Sequence, residues 1–270
     1  MSNFPRIKQR LFITRPLIDI PNDYHISCVI VDTSLVENQG FSKDRIHFYQ
    51  CMFDQQTIQQ INFKYCEFFE CQFVGVRINF CEFHNCTFDC CNFYKARIEG
   101  SYLDPSSFVF KPLWRKKHAN INTAWFQALY CNAKNTRQET HAMRADMRFQ
   151  SYYRAELIFG KNPNYFRYIN RLGYCVFMGN GYGRSNVLAV SILLILIFTL
   201  FMQCWTSAGV NASFFDVLYF SVVTFSTVGY GDIAPSTVHL FPICVTMLFL
   251  AASVIWLSIT TAVIIKRIVK

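Results

Sequence analysis

Between residue 46 and about residue 110 a large apolar side chain returns every five residues. The centres are Phe48, Phe53, Ile58, Phe63, Phe68, Phe73, Ile78, Phe83, Phe88, Phe93, Ile98, Leu103 and Phe108. Two residues before each centre stands a second, usually smaller, side chain. Ile46, Cys51, Cys66, Cys71, Cys81, Cys86 and Cys91 are examples. Side chains two apart point the same way in extended chain, so each pentad sends one large and one smaller group inward. A period of five suits neither an α-helix nor a simple strand. A longer period lies beneath it. Ile58, Ile78 and Ile98 are the only Ile centres, and they stand twenty residues apart. Cys51, Cys71 and Cys91 are spaced alike, and their centres Phe53, Phe73 and Phe93 are all Phe. Every fourth pentad therefore belongs to one column, which predicts a four-sided coil stacked into a solenoid.

These pentads resemble the pentapeptide-repeat family, which implies a right-handed quadrilateral β-helix with one pentad per side. The twelve cysteines then read as small buried hydrophobes. Six of them follow the repeat rather than a metal-ligand spacing. Cys90 alone falls outside the inward positions of the repeat and is the expected exposed thiol. Phe69 and Phe80 fall on outward positions. Some relatives of this family mimic DNA with acidic faces. Here Asp54, Glu67, Glu70, Glu82, Asp89, Glu99 and Asp104 are offset by Lys64, Arg77, Lys95 and Arg97, so no nucleic-acid role is expected. Residues 1–45 are read as an N-terminal β cap, with 25–31 extending or closing the solenoid.

The last third of the chain has a different character. Residues 187–205 and residues 240–265 are predominantly apolar and carry no charge. Each is long enough to cross a bilayer, which takes about 20 residues. The net charge of +9 concentrates beside them. Lys161, Arg167, Arg171 and Arg184 precede the first span, and Lys266, Arg267 and Lys270 follow the second. Between 185 and 265 there is no Lys or Arg, only Asp216, Asp232 and His239. The positive-inside rule places both termini in the cytoplasm and residues 206–239 outside. The expected location is the inner cell membrane. Lys111, Arg115, Lys116 and Lys117 form a further basic cluster, read as a solvated loop able to meet acidic lipid.

Between the spans, residues 226–232 read Ser-Thr-Val-Gly-Tyr-Gly-Asp. Gly229 and Gly231 accept positive φ without penalty, so successive carbonyls can face one axis. Over 186–265 this resembles the two-transmembrane potassium channel pore family. The resemblance implies an all-α pore domain with a re-entrant helix over 213–226, too short to cross. Thr227, Val228, Gly229, Tyr230 and Gly231 would bind K+ through their carbonyls and the Thr227 hydroxyl. Tyr219, Phe220 and Asp232 would support the filter. Val223 stands where some members carry a carboxylate partner for Asp232. One chain supplies one filter strand, so the resemblance implies a homotetramer. Ala252, Ile255, Ile259 and Val263 recur at helical spacing and are the expected pore lining, with Ile259 and Val263 as a hydrophobic gate. No glycine follows Gly231, so the usual hinge glycine is missing. No span repeats Arg in the manner of a voltage sensor.

Residues 111–162 join the two parts as a helical connector. Ala124, Ala128, Ala142, Ala145, Phe149 and Tyr152 recur at helical spacing, and Thr136 with Glu139 suggests a capping box opening a second helix. His141 is expected at the surface. Over 163–184, Pro163 suits the first turn of an interfacial helix, followed by a glycine corner at Gly179, Gly181 and Gly183. The pore domain occupies 185–270. The expectation is thus a multi-domain membrane protein, a β-helix plus an all-α pore. It would conduct K+ passively and be gated or assembled through an unknown ligand or protein at its cytoplasmic repeat. The alternative is a membrane-tethered binding scaffold with a non-conducting pore. No Ser-His-Asp set, phosphate loop or metal cluster points to an enzyme, and no cofactor is implied.

Overall fold

The structure is a computed structural model that describes residues 13–27, 29–33, 41–111, 113–203, 213–235 and 240–268. Trp205, His239 and Lys270 of the foregoing reading lie outside these residues, as does part of 1–45. The chain divides into two compact units, Met1–Tyr168 and Ile169–Lys270.

The first unit is built on a parallel β-solenoid. Its short strands pair with strands one coil away, and the register between neighbouring coils is twenty residues from Phe41 onward, with twenty-two at the first coil, where His25 pairs with His47. One side stacks Phe41–Asp44, Ile61–Lys64, Glu82–His84 and Tyr102–Leu103. The next stacks His25–Ser27, His47–Tyr49, Glu67–Phe69, Thr87–Asp89 and Phe108–Val109. A third side is a line of single bridges through Ile30, Met52, Gln72 and Asn92. The fourth stacks Thr57–Gln59, Arg77–Asn79 and Arg97–Glu99. The Ile column appears as Ile58 opposite Ile78 and Ile78 opposite Ile98. The stacking begins before residue 46, because His25–Ser27 and Phe41–Asp44 already occupy rungs.

Each corner turns on a residue in the left-handed region. Positive φ recurs at Arg45, Gln50, Gln55, Gln60, Tyr65 and Glu70, and continues every five residues to Gly100. The strands are short because a corner follows each inward centre by two residues. Inside, the Phe rings stack along each column. Phe68 lies 4.8 Å from both Phe48 and Phe88, nearly parallel to each. It meets Phe53, Phe63 and Phe73 of the adjoining columns edge-on. The thiols fill the remaining space and donate to carbonyls of the coil before, as Cys71 does to Phe48 at 3.3 Å and Cys91 to Phe68 at 3.2 Å.

Cys90 corrects the sequence reading. It is buried, 3% exposed, although it occupies a corner at φ 53°. The chain at Lys111 folds over it, bringing its amide to the sulfur. Burial raises the Cys90 thiol, with Asp89 adding to the effect. Burial likewise pushes Cys81 up to about 11, whereas Cys131 is exposed. In a thiol-labelling time course on the folded protein, Cys131 is expected to react in the first phase. Cys81 and Cys90 are expected to react only on unfolding, and rapid labelling of Cys90→Ser-sensitive sites would contradict its burial.

Both ends of the solenoid are closed by identifiable groups. At the N-terminal end, Lys43 takes an inward position opposite Phe63. Its Nζ donates to the carbonyls of Ile18 (3.2 Å) and Ile20, beside the 3-10 turn Leu17–Asp19. Burial lowers the Lys43 pKa, with Asp19 opposing. At the other end, α1 (Trp114–Lys117), α2 (Ala119–Asn135) and α3 (Glu139–Phe159) follow the last strand. The α2–α3 hairpin seals the open rung. Trp125 stacks on Phe93 at 4.3 Å. Asn132 accepts from the Ser101 amide at 3.1 Å and donates to its carbonyl at 2.7 Å, which is what another strand would do. Arg148 donates to the Phe108 carbonyl, and Arg144 pairs with Asp104 at 2.8 Å. An unpaired edge invites aggregation; here helical side chains satisfy it.

Two expectations for the connector differ from the structure. Thr136 forms no capping box. It caps the end of α2, donating to the Asn132 carbonyl at 2.9 Å, and Gln138 precedes α3 without a side-chain cap. His141 is buried rather than at the surface, against Tyr102 and 2.9 Å from Gln138 Oε1. Burial lowers its pKa below the ordinary 6.5; Asp104 opposes this and Arg144 assists it. The unfolded chain then takes up the proton first as pH falls. This contribution to stability is complete above pH 6.5 and declines as pH drops below it. The apparent Tm is expected to fall between pH 7 and pH 5.5, and His141→Asn to flatten that slope. An unchanged slope would show that other groups set it.

Candidate functional site

The second unit takes in most of α4 (Tyr165–Met178) and then α5 (Arg184–Met202), α6 (Phe214–Phe225) and α7 (Leu240–Ile268). Pro163 precedes α4 without entering it, and Asn164 caps the helix by accepting from the Arg167 amide at 3.0 Å. Tyr165, Phe166, Ile169, Leu172 and Val176 form one exposed apolar face of α4, while Arg167 and Arg171 fall on the opposite side of the helical wheel. The glycine corner takes a 3-10 form over Gly179–Gly181. Asn186 fastens it by donating to the Val176 carbonyl at 2.9 Å.

Helices α5 and α7 are long and apolar enough to cross a membrane. At 1.5 Å per residue, the 19 residues of α5 span about 28 Å, close to the hydrocarbon core. The two helices and α6 meet around Phe198, Met202, Val217 and Phe220, with Ile233, Val245 and Phe249 packed against them. Phe198 and Phe249 stack at 3.8 Å. Trp256 of α7 donates to Ser191 Oγ of α5 at 2.8 Å, and the Ser191 hydroxyl in turn donates to the Val187 carbonyl at 2.9 Å. A polar chain of this kind in apolar surroundings fixes helix register. The charge pattern gave no hint of it.

Helix α6 starts at a capping box. Ser213 Oγ accepts from the Phe215 amide, and Asp216 accepts from the Ser213 amide at 3.2 Å. Its other end holds the base of the 227–231 strand. The Val223 carbonyl accepts from the amides of Val228 (3.1 Å) and Gly229 (3.5 Å) and from Ser226 Oγ (3.1 Å). The Thr227 amide donates to the Thr224 carbonyl at 3.1 Å. Terminal helix carbonyls otherwise lack partners, and here they anchor the strand.

Beyond that anchor the backbone alternates in hand. Thr227, Gly229 and Gly231 have φ of 60°, 57° and 81°, and the residues between them are not left-handed. Alternating left- and right-handed residues turn consecutive carbonyls toward one side, which a strand cannot do. Positive φ at the two glycines agrees with the sequence reading. At Thr227 it does not follow from sequence, because a β-branched residue there is a genuine outlier. Such a residue costs about 1–3 kcal/mol and persists only where its surroundings impose it. The two hydrogen bonds on either side of the Thr227 peptide are what impose it.

Among the flanking residues, Phe220 is buried and Tyr219 directs its phenol to the Asp232 carboxylate. Asp232 also accepts from the Ile233 amide at 3.1 Å. Val223 is half-buried and contributes its carbonyl rather than its side chain. A cavity of about 180 Å³ runs beside the strand, bounded by Phe220, Thr224, Thr227, Gly229, Asp232 and Ile233. Val228 and Tyr230 project from it, 54% and 72% exposed. On α7, Ala252 and Ile255 are exposed, Ile259 is half-buried and Val263 is buried within this chain. The helix runs through the region of Ala251, Ala252 and Ser253 without interruption.

The comparisons with known proteins bear on this unit. The ion channel family matches residues 187–267. Two-pore potassium channel 4 of Arabidopsis thaliana is 44% identical over 59 residues, covering 19% of this chain and 21% of that protein. The chain thus spans about a fifth of the length of this curated relative. No solved structure matches it significantly. Residues 187–267 thus match the ion channel family, in a membrane protein whose N-terminal part is a parallel β-solenoid.

Proposed function

We propose that this chain is a potassium-selective channel in which four copies surround one conduction path. The alternating backbone at Thr227, Gly229 and Gly231 carries this reading. Carbonyl oxygens turned to one side can replace the hydration shell of K+, and the Thr227 hydroxyl adds a further ring. One copy offers one such strand, so a closed ring needs cyclic symmetry. The exposure of Val228 and Tyr230 beside the strand, and of Phe215, Leu240 and Leu248 on the helices, is consistent with burial against other copies and lipid. The matched relative, named a two-pore potassium channel, supports the same ion.

In this reading Tyr219, Phe220 and Asp232 brace the filter, and Ala252, Ile255 and Ile259 line the inner path, which closes by dewetting at Ile259, whereas Val263 is already buried within its own chain. The solenoid lies in the cytoplasm, with both termini, and assembles or gates the pore. K+ is the permeant ion, and no other cofactor is required. Flux from liposomes holding the purified protein tests the proposal. K+ efflux is expected to exceed Na+ efflux strongly, and Gly229→Asp to abolish it. Equal flux of the two ions would defeat the selectivity, and an absence of flux would favour a tethered scaffold.

A further inference from the structure

Lys111, Lys116 and Lys117 are close in sequence, but the fold separates them. Lys111 is committed to the solenoid, 2.9 Å from Glu70 and over the Phe69 ring. Lys116 and Lys117 instead border a cavity of about 610 Å³ that also takes in His118, Glu156, Lys161 and Arg167. Four Lys and Arg side chains from three separate stretches of chain face one Glu. Among the described residues, none of those four cations forms an ion pair. The cavity also receives the first turn of α2, where His118 supplies no side-chain cap. Amides at a helix start carry partial positive charge. Tyr153 and Phe159 give the cavity an apolar wall, and Lys116 lies 5.5 Å from the Phe159 ring centre.

We propose that this cavity binds a phosphate-bearing anion. Its volume falls within the range of small-ligand sites, about 300–1,000 Å³, and is too small to admit a nucleic-acid duplex. Converging unpaired cations match a group with several anionic oxygens better than they match a single carboxylate. The phosphate comes either from a soluble ester or from a lipid headgroup, since α4 starts at the rim with Arg167. The proposal concerns the first unit alone and holds whether or not the pore conducts.

Two probes separate the sources, applied to the full chain in detergent. One is inorganic phosphate followed by calorimetry. The other is co-flotation with phosphatidylcholine vesicles, with and without phosphatidylglycerol. The double variant Lys117→Gln, Lys161→Gln alters exposed side chains with no described ion pair, and unchanged thermal melting would confirm that it folds. Loss of two charge-assisted contacts is expected to weaken binding by about tenfold or more. Weakened phosphate binding supports a soluble ligand. Weakened flotation confined to the anionic vesicles supports a lipid headgroup. Binding of both probes equal to that of the unaltered protein, or undetectable in both proteins, would overturn the proposal.

Discussion

Phe68→Ala is expected to destabilise the solenoid by about 3–5 kcal/mol, the range for removing a buried aromatic ring. The ring sits at the centre of the stack. It touches parallel rings in the coils on either side and three edge-on rings from adjoining columns. No neighbour can collapse into the gap without leaving its own column. Phe80→Ala supplies the contrast. Phe80 stands on a corner, 59% exposed, with its ring over Gly100. Its loss is expected to cost about 0.5 kcal/mol or less, as surface substitutions do. Chemical denaturation followed by far-UV circular dichroism measures both. Equal effects would mean that the ring stack does not dominate the core.

Gly229→Ala is expected to produce a folded protein with impaired ion discrimination. A Cβ at Gly229 would meet nothing within 4 Å, so the substitution brings no clash within this chain. The cost is conformational, since φ there is 57°. An L side chain held in the left-handed region costs about 1–2 kcal/mol. That bias shifts the strand's conformational equilibrium by roughly tenfold toward a turned carbonyl. The K+/Na+ flux ratio is therefore expected to fall while the melting curve stays in place. A retained ratio would show that the carbonyl alternation does not determine selectivity.

The solenoid was readable from sequence because its period is redundant. The pentad fixes which residues point inward, and the sorting of Ile58, Ile78 and Ile98 fixes how many sides there are. Cys90 was misread for the same reason. The repeat describes a coil in isolation, and the cover over Cys90 comes from the chain at Lys111, beyond the last rung. His141 escaped in the same way, because its burial depends on Tyr102, which is remote in sequence. In the second unit, the helices and the positive φ of Gly229 and Gly231 follow from composition and motif. The left-handed Thr227 does not, because local preference argues against it and only hydrogen bonds to the end of α6 hold it there. The link from Trp256 to Ser191 joins residues far apart in the chain, with no periodic signal to announce it.

The fit between Asn132 and the Ser101 backbone has a consequence for how such a protein can change length. The α2–α3 hairpin does not recognise the solenoid as a whole; it recognises the end of the final coil, through Asn132 at Ser101, Trp125 at Phe93 and Arg148 at Phe108. Gaining or losing twenty residues moves that docking surface along the solenoid axis and leaves its heading unchanged. Gaining or losing five swings it by a quarter turn, so everything downstream of the hairpin would face another way. Growth in whole coils is thus neutral in orientation, and growth in single pentads is a rotation.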